Sequence, residues 1–172
     1  LETAEIAIQA ALTGHLVLST IHTNDAASAV TRLVDMGVEP FLVASSVIGI
    51  LAQRLLRTAC RDCKKPYVAR PEELEELGLS PDMVGPQPKF YQGEGCPKCL
   101  GTGYQSRSGI HELLSPTDSV RQMILQNVDA GTIRKRAREE GMRTLREDGA
   151  RKVLAGLTTS AELMRVTQED VA

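Results

Sequence analysis

Four cysteines stand in two pairs of the pattern C-x-x-C, and the 172-residue chain has no others. Cys60 and Cys63 form the first pair, and Cys96 and Cys99 form the second. Two such turns can present four thiolates to one soft divalent metal ion, most often Zn²⁺. Four protein ligands leave no open position for a substrate, so the pattern predicts a structural zinc site.

The residues around the cysteines fit a metal site, although two disulfides or free buried thiols stay open as alternatives. A redox site is less favoured, because neither pair follows the strand-to-helix turn of a thioredoxin-like unit. Neighbouring glycines allow the positive φ angles that a chain needs to turn around sulfur, and they are Gly93, Gly95, Gly101 and Gly103. Basic residues that would offset the charge of a Cys₄–Zn²⁺ centre are Arg61, Lys64, Lys65 and Lys98.

Composition limits the class of protein. Apolar residues make up 42% of the chain and aromatic residues only 3%, which predicts a core of aliphatic side chains. The net charge of −2 argues against a nucleic-acid partner. No apolar run reaches the length of a membrane span and no signal peptide is evident, while paired free thiols suit a reducing compartment. We therefore expect a cytoplasmic protein without a membrane anchor.

Residues 1–58 carry the pattern of an α/β domain that lacks most of its sheet. Helical periodicity over Leu1–Leu12 precedes a nearly continuous apolar run, His15–Ile21, which predicts a buried strand of a mostly parallel sheet. N-cap residues at Thr23–Asp25 predict a second helix, and an apolar helix is predicted from Pro40 to about Gln53. One strand cannot form a sheet, so we expect partner strands upstream of the first residue and a chain that is a fragment.

Histidines and arginines are the other candidates for chemistry. His22 lies where the predicted strand ends, which is the edge at which open α/β sheets bind ligands, so its ring could donate to a phosphate oxygen. A histidine that caps the next turn is the simpler alternative. His15 begins the same strand, and His111 is predicted to be structural. Arg54 and Arg57 face either a phosphate, a neighbouring subunit or solvent.

Two further pieces follow the first. Residues 59–110 are predicted to form the Cys₄ zinc module, with an acidic helix, Pro71–Leu77, between the cysteine pairs. This helix most simply presents a solvated face, and a binding site for a partner is the alternative. Residues 111–172 are predicted to form a compact helical bundle with clear helix starts. Those starts are Ser115–Asp118, Asp129 and two capping boxes, Thr144–Glu147 and Thr159–Glu162.

Motifs along the whole chain match one family in order. The segment Gly14-His-Leu-Val-Leu-Ser-Thr-Ile-His-Thr-Asn-Asp-Ala26 resembles the histidine box of the secretion ATPase superfamily, the hexameric motors of type II secretion and type IV pilus assembly. The two cysteine pairs resemble the tetracysteine module of its assembly and secretion branch. Segments that continue the resemblance are Leu1–Ala7, just after the Walker B motif, and Thr31–Ser46, Leu51–Arg57, Gly141–Gly149 and Gly156–Glu162.

The resemblance implies a specific role. Residues 1–58 would be the C-terminal remnant of a RecA-like P-loop NTPase domain, and His22, with His15, would lie near the γ-phosphate of ATP. The intact protein would be a homo-hexamer that binds ATP and Mg²⁺ and works with inner-membrane secretion components, without nucleic acid. No catalytic residue of the family has a matching position in this chain. Within this resemblance, the segment Asp25-Ala-Ala-Ser-Ala-Val30 favours type II secretion over pilus assembly.

Parts of the sequence also resemble two other classes of protein. Cys96-Pro-Lys-Cys-Leu-Gly-Thr-Gly103 is similar to the zinc repeat of DnaJ-type co-chaperones, which would make the chain a zinc-dependent protein-binding module without an ATPase role. Those proteins carry four such repeats, whereas this chain carries one. A zinc ribbon that binds nucleic acid is disfavoured by the negative charge and the few aromatic residues.

The chain contains no G-x-x-x-x-G-K-[ST] loop to cradle a nucleotide phosphate. We therefore expect the isolated chain to release no phosphate from ATP above background, in an assay that uses the heat-inactivated preparation as its control. Phosphate release that co-purifies with the chain through successive columns would contradict this prediction.

Overall fold

The computed structural model describes residues 2–167, with the side chain of Pro81 excepted. In chain order its elements are α1 Glu2–Leu12, α2 Ala26–Asp35, α3 Pro40–Ser46, β1 Ile50–Ala59, β2 Lys64–Val68, α4 Pro71–Glu76, α5 Pro81–Val84, β3 Lys89–Gly93, a 3-10 turn Pro97–Cys99, β4 Tyr104–Leu114, α6 Asp118–Leu125, α7 Ala130–Glu139, α8 Leu145–Leu154 and α9 Ser160–Thr167. Strands β1 and β4 pair, and β2 and β3 form a second, antiparallel pair. The expected mixed α/β composition is confirmed. Among the described helices, none has the length and apolarity needed to cross a membrane.

The chain divides into two compact units, each built from two separate stretches of sequence. Among the described residues, 2–52 and 112–143 form the first unit, and 53–111 and 144–167 form the second. The long strands β1 and β4 each contribute residues to both units. The three domains predicted from motif order, the RecA-like remnant and the single C-terminal bundle remain predictions.

Aliphatic side chains build the core of the first unit, as the composition predicts. Its most deeply buried members are Ala26, Ala27, Val30, Val43, Leu114, Val120, Ile124 and Ile133. Arg121 of α6 donates hydrogen bonds to the carbonyl oxygens of Ala44 and Val47. These bonds satisfy carbonyl groups at the end of α3 that have no partner within the helix.

The predicted buried strand His15–Ile21 is wrong. These residues form neither helix nor strand, and Leu16 and Leu18 are 73% and 88% exposed. A buried strand needs neighbours that pair with its backbone and a layer that covers its apolar side chains. Within residues 2–167 no strand pairs with this stretch, so neither condition is met.

The helix predicted from Pro40 to about Gln53 is wrong in its second half, because α3 ends at Ser46 and β1 begins four residues later. The linking sequence Val47-Ile-Gly49 combines β-branched side chains with a glycine. β-Branched residues favour strands, and glycine disfavours a helix interior. Apolarity alone predicted a buried element here but not its type.

The acidic segment forms α4 as predicted, but it is not simply a solvated face. Its leucines, Leu74 and Leu77, are buried, and Glu73 is only 8% exposed. The Glu73 carboxylate accepts hydrogen bonds from the Tyr67 hydroxyl at 2.7 Å and from the Ser160 hydroxyl at 3.1 Å. The segment is therefore part of the second unit, anchored to β2 and to α9.

The predicted helix starts in the C-terminal part are confirmed with one exception. Asp129 caps α7, and Thr144 and Glu147 form the reciprocal capping box of α8. At α9 only half of the predicted box forms. The Thr159 hydroxyl accepts a hydrogen bond from the Glu162 N–H at 3.1 Å, while the Glu162 carboxylate binds elsewhere.

Glu162 is a buried carboxylate held by two arginines. Its side chain is fully buried, with Arg57 Nη2 at 2.7 Å and Arg165 Nη2 at 2.8 Å. The Tyr104 ring stacks against the guanidinium of Arg57, 4.2 Å from the ring centroid. Burial alone would raise the pKa of Glu162, but the hydrogen bonds from Arg165 and Arg57 outweigh burial and lower the pKa to about 2. This ion pair joins α9 to β1.

Replacing Glu162 with Gln should lower the free energy of unfolding by about 2–3 kcal/mol at neutral pH, because both guanidinium groups lose their carboxylate. A carboxylate with a lowered pKa stabilises the fold above its unfolded pKa of about 4.3, and this contribution is lost as the pH falls towards its folded pKa. The difference between Glu162→Gln and the unmodified chain should therefore shrink below about pH 4.

Denaturant unfolding over a series of pH values measures this effect. Glu75→Gln, which alters an exposed glutamate of α4, is the matched control and should change stability little. A Glu162→Gln effect as small as that of the control at neutral pH would contradict the prediction.

Candidate functional site

The four cysteine sulfurs converge at one point of the second unit. Cys60 directly follows β1 and Cys63 directly precedes β2, while Cys96 and Cys99 lie at the 3-10 turn before β4. Their Sγ atoms all lie within 4.8 Å of one another, and none of the four cysteines is in a disulfide. The fold thus brings together the two pairs that the sequence separates.

The sulfur–sulfur distances fit a tetrahedral metal site. They are 3.9 Å for Cys60–Cys96, 3.8 Å for Cys63–Cys99 and 3.7 Å for Cys96–Cys99. Zn–S bonds of about 2.3 Å give a tetrahedron with edges of about 3.8 Å. A disulfide would need a separation of about 2.05 Å. The donor set and its spacing therefore fit Zn²⁺.

Backbone amides point at the sulfur of Cys99. The N–H groups of Cys96 and Gly103 donate hydrogen bonds to this Sγ at 3.1 Å and 3.2 Å. Burial alone would raise the pKa of Cys99, but these hydrogen bonds outweigh burial and lower the pKa to about 6. These amides therefore favour the thiolate form of Cys99, which is the form that binds a metal ion.

Cys63 shows the opposite shift. Burial, together with hydrogen bonds among the neighbouring sulfurs, raises the pKa of Cys63 to about 12, against an opposing backbone hydrogen bond from Gly95. A second negative charge beside an existing thiolate is unfavourable in a site without a cation. A divalent cation would offset that charge, so metal binding at these sulfurs would release protons.

Two glycines meet at close range beside the sulfurs. Gly103 has a φ of +76°, and a Cβ atom at this position would lie 2.6 Å from the carbonyl oxygen of Gly93. The Gly103 carbonyl in turn accepts a hydrogen bond from the Cys60 N–H at 2.9 Å. Gly101 has nearly the same φ, +77°, but open space around its Cα. A side chain at position 103 would therefore collide with the backbone of Gly93, whereas a side chain at position 101 would have room.

The lysines near the cysteines already have partners of their own. Lys98 lies 2.5 Å from a carboxylate oxygen of Asp62, and Lys65 lies 2.8 Å from one of Glu94. Both pairs are largely exposed, so each is weak. Their positive charge is in part balanced locally, which reduces what they can contribute to a negatively charged metal centre.

His15 and His22 lie in the stretch without helix or strand, and both are exposed. The Thr13 hydroxyl lies 3.0 Å from Nδ1 of His15. His22 immediately precedes the turn in which the Thr23 hydroxyl donates to the Asp25 carbonyl oxygen at 3.1 Å. Both rings are accessible to a ligand, and their role at a phosphate stays a prediction.

A buried charged cluster that follows His22 was missed by the sequence analysis. Asp25 and Glu112 are only 5% and 2% exposed, and Arg134 of α7 lies 2.5 Å from Asp25. Asp25 was predicted only as a helix cap. Glu112 binds a residue 86 positions away, so no local pattern could reveal its burial.

Comparison with known proteins covers nearly the whole chain. The family described as Type II/IV secretion system protein matches residues 1–165. The chain belongs to this family. The superfamily predicted from the histidine and cysteine motifs is thereby confirmed.

Curated members of the type II/IV secretion system family are about half identical to the chain. Type IV pilus assembly ATPase PilB of Thermus thermophilus is 51% identical over 168 residues, which is 98% of this chain and 19% of that protein. Type II secretion system protein E of Pseudomonas aeruginosa is 50% identical over 98% of this chain and 33% of its own length. Type II secretion system ATPase E of Vibrio cholerae is 49% identical over the same shares. The chain spans a third or less of these relatives.

Gly103→Ala should weaken zinc binding about tenfold or more relative to Gly101→Ala. Both substitutions place a side chain at positive φ, which costs roughly 1–2 kcal/mol in each case. Only Gly103→Ala also drives a Cβ into the carbonyl oxygen of Gly93. Competition with a chromophoric chelator measures both affinities, and equal values would show that the close approach has no role.

Proposed function

We propose that this chain is the C-terminal part of a hexameric cytoplasmic ATPase that powers type II protein secretion. The observation that carries the proposal is the match over 98% of the chain to protein E of type II secretion systems. The intact protein would bind ATP and Mg²⁺ and act with inner-membrane secretion components, and it would not bind nucleic acid. No catalytic residue is assigned to this chain, which would not hydrolyse ATP alone.

The second part of the proposal is a structural zinc ion bound by Cys60, Cys63, Cys96 and Cys99. The ion would supply a cross-link between the two C-x-x-C turns and the charge that stabilises four thiolates. The chain's own residues prepare the site, because the amides of Cys96 and Gly103 already favour the thiolate form of Cys99. Four sulfurs fill a tetrahedral shell, so the proposed role is folding of the second unit rather than catalysis.

The third part concerns the histidine segment. His22, with His15, would lie beside the γ-phosphate of ATP in the intact protein. Two observations support this assignment, namely the exposure of both rings and the position of His22 directly before a fixed turn. A neutral imidazole can donate one hydrogen bond to a phosphate oxygen, and a protonated one adds its charge.

The choice between the two branches of the family rests on the amino-acid sequence of one short segment. Identities of 50% to a type II secretion protein and 51% to a pilus assembly ATPase do not separate them. The segment Asp25–Val30 favours type II secretion, so we propose that branch, with pilus assembly as its alternative. A zinc-dependent binding module without an ATPase role is not favoured, because relatives matched over the whole chain are named ATPases.

Measurements on the intact protein that carries this chain test the proposal. We expect one zinc ion per chain by elemental analysis, lost in Cys60→Ser and in Cys96→Ser but retained in Ser45→Ala, which alters an exposed hydroxyl of α3. We also expect ATP turnover that His22→Ala lowers in kcat more than in KM, since the contact would matter most in the transition state. Zinc-loaded intact protein without any ATP turnover would overturn the ATPase proposal in favour of the binding module.

A further inference from the structure

We propose that Asp25, Glu112 and Arg134 are positioning residues that hold the His22 segment in place from the C-terminal side. All three lie in the first unit, and they come from the start of α2, the end of β4 and the middle of α7. The inference rests on the proposed role of His22 at the phosphate. It adds that the position of His22 depends on the contact between Asp25 and Arg134, which lie 109 positions apart in the sequence.

Two carboxylates bind the first turn of α2. Asp25 accepts hydrogen bonds from the Ser28 N–H at 2.8 Å and from the Ser28 hydroxyl at 2.7 Å. Glu112, which begins the second stretch of the same unit, accepts a hydrogen bond from the Ala26 N–H at 2.8 Å. The first N–H groups of a helix lack partners within it and carry partial positive charge, so both contacts are favourable. They fix the helix start in space as well as in conformation.

Arg134 joins this helix start to α7. Its Nη2 lies 2.5 Å from the Asp25 carboxylate, and its side chain is only 21% exposed. Among the described residues, its Nε is a buried side-chain nitrogen without a hydrogen-bond partner. The contact with Asp25 is therefore made although the Nε of the same guanidinium has no partner among the described residues.

A buried ionic network is a poor way to gain stability, because apolar residues of similar volume often stabilise a core equally well. Its distinctive property is a single defined geometry, since any shift leaves a buried charge without its partner. Within residues 2–167 no strand pairs with the stretch before His22, and the contacts of Asp25, Glu112 and Arg134 hold the segment from its C-terminal side. Asp25 is thus a buried, firmly held residue three positions after His22.

The reach of the network follows from chain geometry. His22 precedes Asp25 by three residues, and three residues span at most about 10 Å. A displacement of the start of α2 would therefore move the point to which His22 is tethered by this short segment. Since Arg134 belongs to α7, a movement of α7 would act on His22 through Asp25.

A double-mutant cycle on the intact protein tests this inference. Arg134→Met should lower kcat for ATP about 10- to 100-fold with little change in KM, as expected when a functional side chain is misplaced by about 1 Å. Lys135→Met, the next residue of the same helix and exposed, is the matched control and should leave kcat unchanged. Glu112→Gln keeps an acceptor for the Ala26 N–H, so it should lose less activity than Glu112→Ala.

The decisive comparison is made in the His22→Ala background. If Arg134 acts through His22, then Arg134→Met should cause little further loss of kcat in that background. A full additional loss, together with a normal effect of His22→Ala alone, would overturn the inference and leave the proposed function intact. If His22→Ala alone has no effect on kcat, the proposed role of His22 fails and the inference fails with it.

Hydrogen exchange at Ala26–Ser28 provides a readout that is independent of turnover. Arg134→Met should speed exchange of these amides by at least about tenfold relative to Lys135→Met, because the helix start loses its anchor. Unchanged exchange in both variants would overturn the inference, whatever the activities are.

Discussion

The strictest constraint on this chain is that sulfurs 36 residues apart must lie within 4 Å of each other. Closing a loop of that length costs entropy, and the elements between the two cysteine pairs have to make the closure possible. The pairing of β2 with β3 does so, because its register sets Lys64, beside Cys63, opposite Gly93. The buried leucines of α4 add apolar contacts to the same closure, so the insert supports the cysteine turns and is more than a spacer.

Within each unit, an ion pair between an arginine and a buried carboxylate joins stretches that are distant in the sequence. In the second unit, Arg57 of β1 binds Glu162 of α9, 105 positions away. In the first unit, Arg134 of α7 binds Asp25 at the start of α2, 109 positions away. Both carboxylates are almost completely buried. A chain with few aromatic residues has less apolar area per side chain to specify such long-range contacts, and directional ion pairs supply that specification.

Local chemistry made part of this structure predictable. The caps at Asp129 and Thr144 and the two C-x-x-C turns depend on neighbours within a few residues, and each forms as predicted. The prediction of a buried strand at His15–Ile21 is wrong because the burial of a strand depends on its neighbouring strands, and the residue pattern of one segment does not reveal them. The predicted capping role of the Glu162 side chain is also wrong because of contacts outside the local motif, since its carboxylate binds Arg57 and Arg165 instead.

The discontinuous make-up of both units has a consequence for synthesis on the ribosome. The first stretch of the first unit ends at residue 52, and its second stretch begins only at residue 112. At roughly 5–20 residues per second, the N-terminal helices emerge several seconds before α6 and α7, which complete their core. During that interval α2 and α3 can pack with each other and with α1, but they lack the cover that α7 and α6 later supply. The nascent chain therefore exposes, for several seconds, apolar side chains of α2 and α3 that the finished first unit buries.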